Sequence, residues 1–291
     1  MANLKEVRNR IVSVTSTQQI TSAMKMVSAA KLKRAQDAIT QMRPYANKLK
    51  EILENLSSSL DSATGIYSNQ REVKKVLIVP ITSNRGLCGG FNANIVKATN
   101  RLIREEYSAA NVTILPIGKK ATEIFRKSKT ETIDAGLTGL IDIWDALTFA
   151  NTSIIAEKLM ELFATGAYDK VELVYNQFKN AAVQVTQVEQ YLPVKPPQAK
   201  EKKQSIDYIF EPSKAYIVED LIPRSLKTQL FKALLDSQAS EHGARMTAMH
   251  KATDNAGALI KELKLSYNKA RQAAITGEIL EIVGGAEALN G

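Results

Sequence analysis

Few side chains in this sequence could carry out bond chemistry. The 291 residues include two histidines and one cysteine, and no convergent set of acid, base and nucleophile accompanies them. His242 and His250 would lie roughly 12 Å apart along a helix, which is too far to share one metal ion. We therefore predict no catalytic residue, no metal site and no bound cofactor.

A glycine-rich segment, residues 83–90 (SNRGLCGG), follows an apolar run and precedes a helical pattern, as phosphate-binding loops do. It lacks the Lys-Ser/Thr ending of a P-loop, and Gly86, Gly89 and Gly90 do not have the dinucleotide-binding spacing. We interpret the segment as a tight turn that requires glycine, with a phosphate-binding loop as the alternative. Cys88 is then a small residue of that turn.

Apolar residues recur at steps of three and four near the N-terminus, which predicts one long helix over residues 1–60. Asn3 followed by Glu6 is a near relative of the capping box, and Pro44 is expected to kink the helix. A polar stretch interrupts the stripe, whose members are Leu4, Val7, Ile11, Val14, Leu32, Ala35, Ile39, Met42, Leu49, Leu53, Leu56 and Leu60.

A second long helix is predicted from about residue 225 to residue 283. Its first apolar stripe is formed by Leu226, Leu230 and Leu234. A stripe of alanines at steps of four then allows a partner helix to approach closely, and it comprises Ala244, Ala248, Ala252 and Ala256. The matching part of the N-terminal helix is also rich in small residues, so we expect the two small faces to pack together.

The length of these helices predicts how they are used. At 1.5 Å per residue each would be roughly 85–90 Å long, whereas a globule of this chain length would be only about 50 Å across. We therefore expect the two helices to project together as a long antiparallel coiled coil.

The middle of the chain, residues 75–191, alternates strand and helix patterns. This alternation predicts a central Rossmann-like α/β domain with a largely parallel sheet. The predicted strands are 75–82, 112–117, 170–176 and 183–191, and the predicted helices are 92–107, 119–127 and 144–165. Residues 192–210 then form a proline-rich, basic linker and foot before the C-terminal coiled-coil helix, residues 211–291.

The net charge of +9 and the pI of about 9.4 predict an acidic partner, which could be nucleic acid, an anionic membrane surface or an acidic protein surface. Residues 1–60 carry ten Lys and Arg against four Asp and Glu, a net of +6. The low cysteine content favours a reducing compartment. No apolar run approaches the roughly 20 residues that span a bilayer, and we expect no secretory leader.

Several motifs resemble the gamma subunit of F-type ATP synthase, bacterial type. Residues 17–31 (TQQITSAMKMVSAAK) resemble its N-terminal helix, and residues 83–92 (SNRGLCGGFN) its first strand-turn-helix. The segments that resemble its C-terminal helix are 239–241 with 244–246, 252–257 (ATDNAG), 267–272 (YNKARQ) and 275–286 (ITGEILEIVGGA). The positions that match the family signature are Ile275, Thr276, Glu278, Glu281, Gly285, Ala286 and Ala288. The resemblance extends over the whole chain.

The resemblance implies a central rotor shaft that performs no bond chemistry itself. Such a shaft couples ion-driven rotation of the membrane ring to the conformational cycle of three catalytic beta subunits, which make ATP from ADP and phosphate. The implied partners are the alpha and beta subunits of the catalytic hexamer, the epsilon subunit and the c-ring, with no nucleic acid. The implied location is peripheral, on the cytoplasmic face of the bacterial inner membrane, attached through the ring.

The resemblance also assigns partner contacts to individual residues. Met24 and Lys25 match positions that face acidic loops of the beta subunits, and Arg271 and Gln272 match a polar pair that hydrogen-bonds a beta-subunit loop. Three residues after the connector match the foot that contacts the ring. The full set of contact candidates is Met24, Lys25, Arg271, Gln272, Thr276, Glu278, Tyr208, Phe210 and Glu211. A solvated basic face around Lys25 and ordinary packing of the foot aromatics are the alternatives.

The terminal segment, residues 279–289, is largely apolar around the predicted helix, so we expect a surrounding socket. Two other functional classes stay open on the residues alone. A basic coiled-coil nucleic-acid-binding protein would explain the charge of residues 1–60, although that stretch has one aromatic residue, Tyr45, and no recognised binding module. An α/β enzyme with a helical arm would need a convergent catalytic set.

Overall fold

The computed structural model describes residues 4–57, 66–194 and 214–290. The foot candidates Tyr208, Phe210 and Glu211 and most of the connector therefore lie outside the described residues. The chain divides into two compact units, Met1–Ser28 with Met246–Gly291 and Ala29–Arg245.

The described residues contain five α-helices and five strands. The helices are α1 (Leu4–Ser57), α2 (Phe91–Glu105), α3 (Lys119–Phe125), α4 (Phe149–Ala164) and α5 (Lys214–Asn290). The strands are β1 (Lys75–Pro80), β2 (Asn111–Ile114), β3 (Glu131–Thr132), β4 (Lys170–Phe178) and β5 (Gln184–Leu192). Two long terminal helices and a central α/β region confirm the predicted fold class.

Helix α5 begins at Lys214, earlier in the chain than the sequence indicated, and it contains Pro223. Proline in a helix interior removes a backbone donor and crowds the preceding turn, so its position inside α5 is locally unfavourable. Burial of the residues around the proline favours the longer helix, since Ile222 and Leu226 both pack in the main hydrophobic cluster.

Two details of the α/β region also differ from the prediction. Strand β3 was missed because it has only two residues, both polar. The helix predicted over 144–165 is a short 3-10 turn, Asp142–Trp144, followed by α4. Thr148 begins α4 as its N-cap, because its side chain accepts a hydrogen bond from the backbone N–H of Asn151.

The strands form one sheet in the order β3-β2-β1-β4-β5. All neighbouring pairs are parallel except β4 and β5, which are antiparallel. Strand β2, which follows β1 in the chain, pairs with one edge of β1, and β4 pairs with the other edge. Between the carboxyl ends of β1 and β4 lies the switch point, where open α/β sheets ordinarily offer a ligand-binding crevice.

Both faces of the sheet are covered, and β1 accordingly reads as a continuous apolar run. On one face, Leu77 and Val79 lie in a large cluster with α4 and the first part of α5. On the other face, Val76 and Ile78 pack with Phe91 and other buried residues of α2.

Helix α1 buries a regular seam. Its less exposed positions recur at alternating steps of four and three, and one series repeats every seven residues, namely Val7, Val14, Thr21, Ser28, Ala35, Met42 and Leu49. The polar stretch of the sequence therefore does not interrupt the seam. Polar side chains instead occupy seam positions there, as Thr21 and Ser28 show with 9% and 3% exposure.

Candidate functional site

Helix α5 passes over the switch point of the sheet. Its apolar residues around Leu230 pack on one face of the sheet, whereas Ala244 packs against the cluster on the other face. Between them, the Ser240 hydroxyl donates to the backbone carbonyl of Asn176 near the end of β4, at 2.9 Å. The protein's own helix thus occupies the crevice in which related α/β folds hold ligands.

Gly243 permits this close approach. A Cβ on Gly243 would lie 3.2 Å from the carbonyl oxygen of Ala181, in the connection between β4 and β5. Ala244, the first member of the alanine stripe, therefore belongs to a segment that packs on the α/β region. Ala244 thus has a packing role on the α/β region beside the one predicted for it.

The glycine turn, residues 83–90, presents backbone carbonyls to α5. The Arg245 guanidinium donates through Nη2 to the carbonyl oxygens of Arg85 and Gly86, at 3.2 and 3.3 Å. Its Nη1 donates to the Glu241 carboxylate at 2.6 Å. A phosphate-binding loop would direct N–H groups at an anion, whereas this turn directs oxygens at a cation. The geometry favours the tight-turn interpretation.

Local hydrogen bonds hold the rest of the turn. The Ser83 N–H donates to Oδ1 of Asn92 and the Ser83 hydroxyl donates to the carbonyl of Arg85. Cys88 is buried beneath them, and the Asn92 amide donates to its sulfur at 3.3 Å. Burial raises the pKa of the Cys88 thiol, only partly offset by the Ser83 hydrogen bond and nearby Arg245. The raised pKa disfavours the reactive thiolate.

The Arg245–Glu241 ion pair is buried. The two side chains are 10% and 11% exposed, and burial raises the pKa of Glu241 while Arg245 acts in the opposite direction. The sequence analysis assigned no role to either residue. A Glu and an Arg four residues apart on a helix are typical of an exposed pair, so the sequence gives no signal of the burial.

His242 lies on the same stretch of α5. Burial, with the positive charges of Arg245 and Lys31 as lesser causes, lowers the pKa of His242 to about 4. The neutral imidazole is therefore the native form, consistent with a packing role. Among the described residues, no cluster of His, Cys, Asp and Glu has the arrangement of a metal site.

A pH-dependent loss of stability is expected from His242. Its pKa in the folded chain is below the unfolded value of about 6.5, so its contribution is complete above pH 6.5 and is lost as the pH falls towards 4. We expect about 3 kcal/mol of unfolding free energy to disappear over this window. Urea unfolding measured from pH 7.5 to 4 should show this loss of stability in the wild type but not in His242→Gln. The other titrating groups are the same in both proteins, so the difference between their plots of unfolding free energy against pH reports His242 alone. Parallel plots would contradict the lowered pKa of His242.

In the unit formed by Met1–Ser28 and Met246–Gly291, α1 and α5 pair in antiparallel fashion. The Thr253 hydroxyl donates to the Thr21 hydroxyl at 2.8 Å, and Nζ of Lys25 is 3.2 Å from Nδ1 of His250. A Cβ on Gly257 would lie 3.0 Å from the Gln18 amide nitrogen. Contacts this close need small residues, as the alanine stripe indicated, and Ala256 is buried while Ala248 and Ala252 are partly buried.

The six described contact candidates lie in this unit, in two separate places. Met24 and Lys25 are partly buried on α1, and Arg271, Gln272, Thr276 and Glu278 are exposed on α5. His250, the neighbour of Lys25, precedes Arg271 by 21 residues on α5, or roughly 31 Å. Thr276 donates to the carbonyl of Gln272. The structure thus groups the α5 candidates on one helix segment and does not bring them to Lys25.

The last described part of α5 exposes large apolar side chains. We call the residues Ile279, Leu280, Ile282 and Val283 the apolar tip, and their exposed fractions are 55%, 66%, 71% and 54%. Exposed apolar residues of this size on adjacent positions are typical of an interaction surface. None of the described helices is long and apolar enough to cross a membrane.

Comparison with known proteins gives a consistent result. The ATP synthase family model matches residues 3–289. The ATP synthase gamma chain of Flavobacterium johnsoniae is 62% identical over 100% of both chains, and that of Chlorobaculum tepidum is 48% identical over 99% of both.

Solved structures agree. A chain of the central stalk and c-ring of the Tetrahymena thermophila mitochondrial ATP synthase is 27% identical, with a TM-score of 0.54, over 80% of this chain and 99% of that chain. A rotor chain of the Euglena gracilis mitochondrial ATP synthase has the same fold, with a TM-score of 0.62 at 23% identity over 94% of this chain and 98% of that chain. With a family model matched over almost its whole length and relatives of this identity, the chain belongs to the ATP synthase gamma chain family.

Proposed function

We propose that this chain is the rotor shaft of the central stalk of an F-type ATP synthase. It couples ion-driven rotation of a membrane ring to the conformational cycle of three catalytic beta subunits, and it contributes no catalytic residue itself. The supporting observation is the apolar tip at the end of the antiparallel helix pair. These side chains are more than half exposed in the chain alone, and a surrounding sleeve of partner subunits would bury them.

The proposed coupling depends on the asymmetry of the helix pair. The pair of helices presents different side chains on different sides, for example half-buried Lys25 on α1 and exposed Asp254 on α5. Three chemically identical subunits around such a shaft make different contacts with it and are biased towards different conformations. A ligand or partner shifts a conformational equilibrium only by its differential contacts with the two states, and rotation of the shaft changes which subunit receives which contacts.

The proposed partners are the alpha and beta subunits, the epsilon subunit and the c-ring, at the cytoplasmic face of a bacterial inner membrane. Arg271, Gln272, Thr276 and Glu278 are the proposed beta-subunit contacts on α5, and their exposure supports this assignment. Tyr208, Phe210 and Glu211 are the proposed ring contacts. Relatives 62% identical to this chain are ATP synthase gamma chains, so the nucleic-acid-binding alternative is not supported.

Co-expression tests the main proposal. We expect this chain to co-purify in a fixed stoichiometry with the alpha and beta subunits of its source, and to be required for coupled ATP-driven ion pumping by the complex. A matched control omits only this chain. Recovery of a coupled complex without it, or failure of the chain to join the complex, would refute the proposal.

Reversing the charge of Lys25 is expected to weaken coupling. Lys25 is partly buried and its ammonium group reaches His250 at the edge of the helix pair, where a cation can meet an acidic loop of a beta subunit. Loss of one such ion pair costs about 1 kcal/mol, or roughly a fivefold weaker contact. We expect Lys25→Glu to lower ATP synthesis in the assembled complex, with a smaller difference at high salt.

The control is Lys33→Glu, which makes the same charge change on α1. Lys33 is 75% exposed and pairs with Asp37. The measurement is the rate of ATP synthesis in membrane vesicles at two salt concentrations. Equal rates for Lys25→Glu and Lys33→Glu would count against a specific contact of Lys25.

A further inference from the structure

Arg245 makes a polar bridge between α5 and the α/β domain. Its guanidinium contacts Glu241 on its own helix and, through the other nitrogen, the carbonyl oxygens of Arg85 and Gly86 in the glycine turn. A guanidinium group has a rigid fork of donors, so it can satisfy a carboxylate and two carbonyls at once, whereas a lysine ammonium cannot match this geometry.

The turn on the other side of this bridge is firmly part of the α/β domain. Ser83 bonds to Asn92 at the start of α2. The Asn84 side chain donates to the carbonyl of Ile141 and accepts from the N–H of Lys119 at the start of α3. A force applied to the turn therefore reaches several elements of the domain.

The apolar contacts of α5 with the domain resist motion less than the polar ones. Leu226, Leu230 and Leu234 pack in an apolar cluster, and packed helices can slide past one another by small shear movements. Directional polar contacts resist sliding, because movement leaves buried charges without partners. Polar contacts also join α5 to the domain, namely Lys227 with Glu157, Gln229 with Glu189, Asp236 with the backbone N–H of Phe178, and Ser240 with Asn176. The Arg245 contact is the one of these that reaches the glycine turn.

We propose that Arg245 locks the α/β domain to helix α5, so that the two turn as one body. Arg245 is in this view a positioning residue, which acts by holding the turn. Its role in rotation depends on the proposed function as a rotor shaft, whereas the lock itself is a property of the chain alone.

Cys88 provides a direct measurement. It is the only cysteine of the chain, it is 2% exposed, and it belongs to the turn that Arg245 holds. In Arg245→Ala we expect the turn to open more often and a maleimide to label Cys88 about tenfold faster or more. The charge effect has the opposite sign, because removing the nearby cation would raise the pKa of the thiol and slow labelling. Faster labelling therefore reports opening of the turn.

Two further variants make the result specific. Arg245→Lys keeps the positive charge but loses the two-pronged set of guanidinium donors. We expect its labelling rate to lie between those of the wild type and Arg245→Ala. If Arg245→Ala does not fold, Arg245→Lys provides the measurement instead. Arg104→Ala removes an exposed arginine from α2 of the same domain and should leave labelling unchanged. Circular dichroism of each variant checks that the helices persist.

A second experiment uses the assembled ATP synthase complex. We expect Arg245→Ala to retain ATP hydrolysis and to pump fewer ions per ATP than the wild type. Unchanged Cys88 labelling would overturn the lock, and faster labelling with an unchanged ratio of pumping to hydrolysis would overturn its role in the rotor. If the wild-type chain itself fails to assemble, the proposed function fails, and labelling of the free chain still decides whether Arg245 holds the turn.

Discussion

Replacing Gly118 with alanine is expected to lower the free energy of unfolding by about 3–4 kcal/mol. Gly118 has φ +96°, a conformation that L side chains rarely adopt, and a Cβ there would overlap with the backbone carbonyl of Thr82. That contact joins the end of β1 to the start of α3, where the Thr82 hydroxyl also accepts from the N–H of Ala121 at 2.8 Å. Relief of the overlap must separate these two elements, and urea unfolding of the full chain measures the cost.

Gly136→Ala is the matched control. Gly136 also has a positive φ, +70°, but no atom lies within 4 Å of the position of an added Cβ. Its replacement should therefore show only the backbone strain, about 1 kcal/mol. If both variants lost the same stability, the close approach of Thr82 to Gly118 would not be the cause.

Replacing the four residues of the apolar tip with serine is expected to separate folding from assembly. In the free chain these side chains are 54–71% exposed, so each replacement should change the unfolding free energy by no more than about 0.5 kcal/mol. Burial of even half of this apolar surface in a socket would contribute about 4 kcal/mol in total. We therefore expect binding to the alpha and beta subunits to weaken by about two orders of magnitude or more.

Ile154→Ser is the control for this variant. Ile154 lies on α4 and is 59% exposed, so it offers a similar apolar side chain away from the tip. Unfolding of the free chains and co-purification with the catalytic subunits are the two measurements. Normal assembly of the tip variant would contradict the socket, and a large loss of stability in the free chain would show that the tip packs within the chain itself.

The sequence determined the elements whose signal is local. The apolar run of β1 is buried on both faces, and the apolar period of α2 buries Phe91, Ile95 and Leu102. Strand β3 carries no such signal, because two polar residues at the edge of a sheet cannot be told from a loop. The apolar stripe that begins at Leu226 indicates α5 only from about residue 225, whereas the helix continues through Pro223 to Lys214, because packing of Ile222 and Leu226 in the main cluster favours it.

The sequence also supplied the candidate contact residues, through motifs that keep their order along the chain. Arg271 and Gln272 could be named in this way because recognition depends on residue types at fixed spacing. The apolar tip could be named from the sequence, because four large apolar residues fall within five positions and make a broad apolar face on the helix. That this face is exposed in the chain alone was decided by the tertiary structure.

Only the tertiary structure decided which polar residues are buried and what they contact. Arg245 is 160 positions from Arg85 in the sequence, and Lys25 is 225 positions from His250. Such pairs have no local signature, because any Arg or Lys on a helix has the same pattern whether it faces water or a carbonyl. The path of α5 over the end of the sheet removes water from Arg245 and Glu241, and that burial converts an ordinary surface pair into a link between helix and domain.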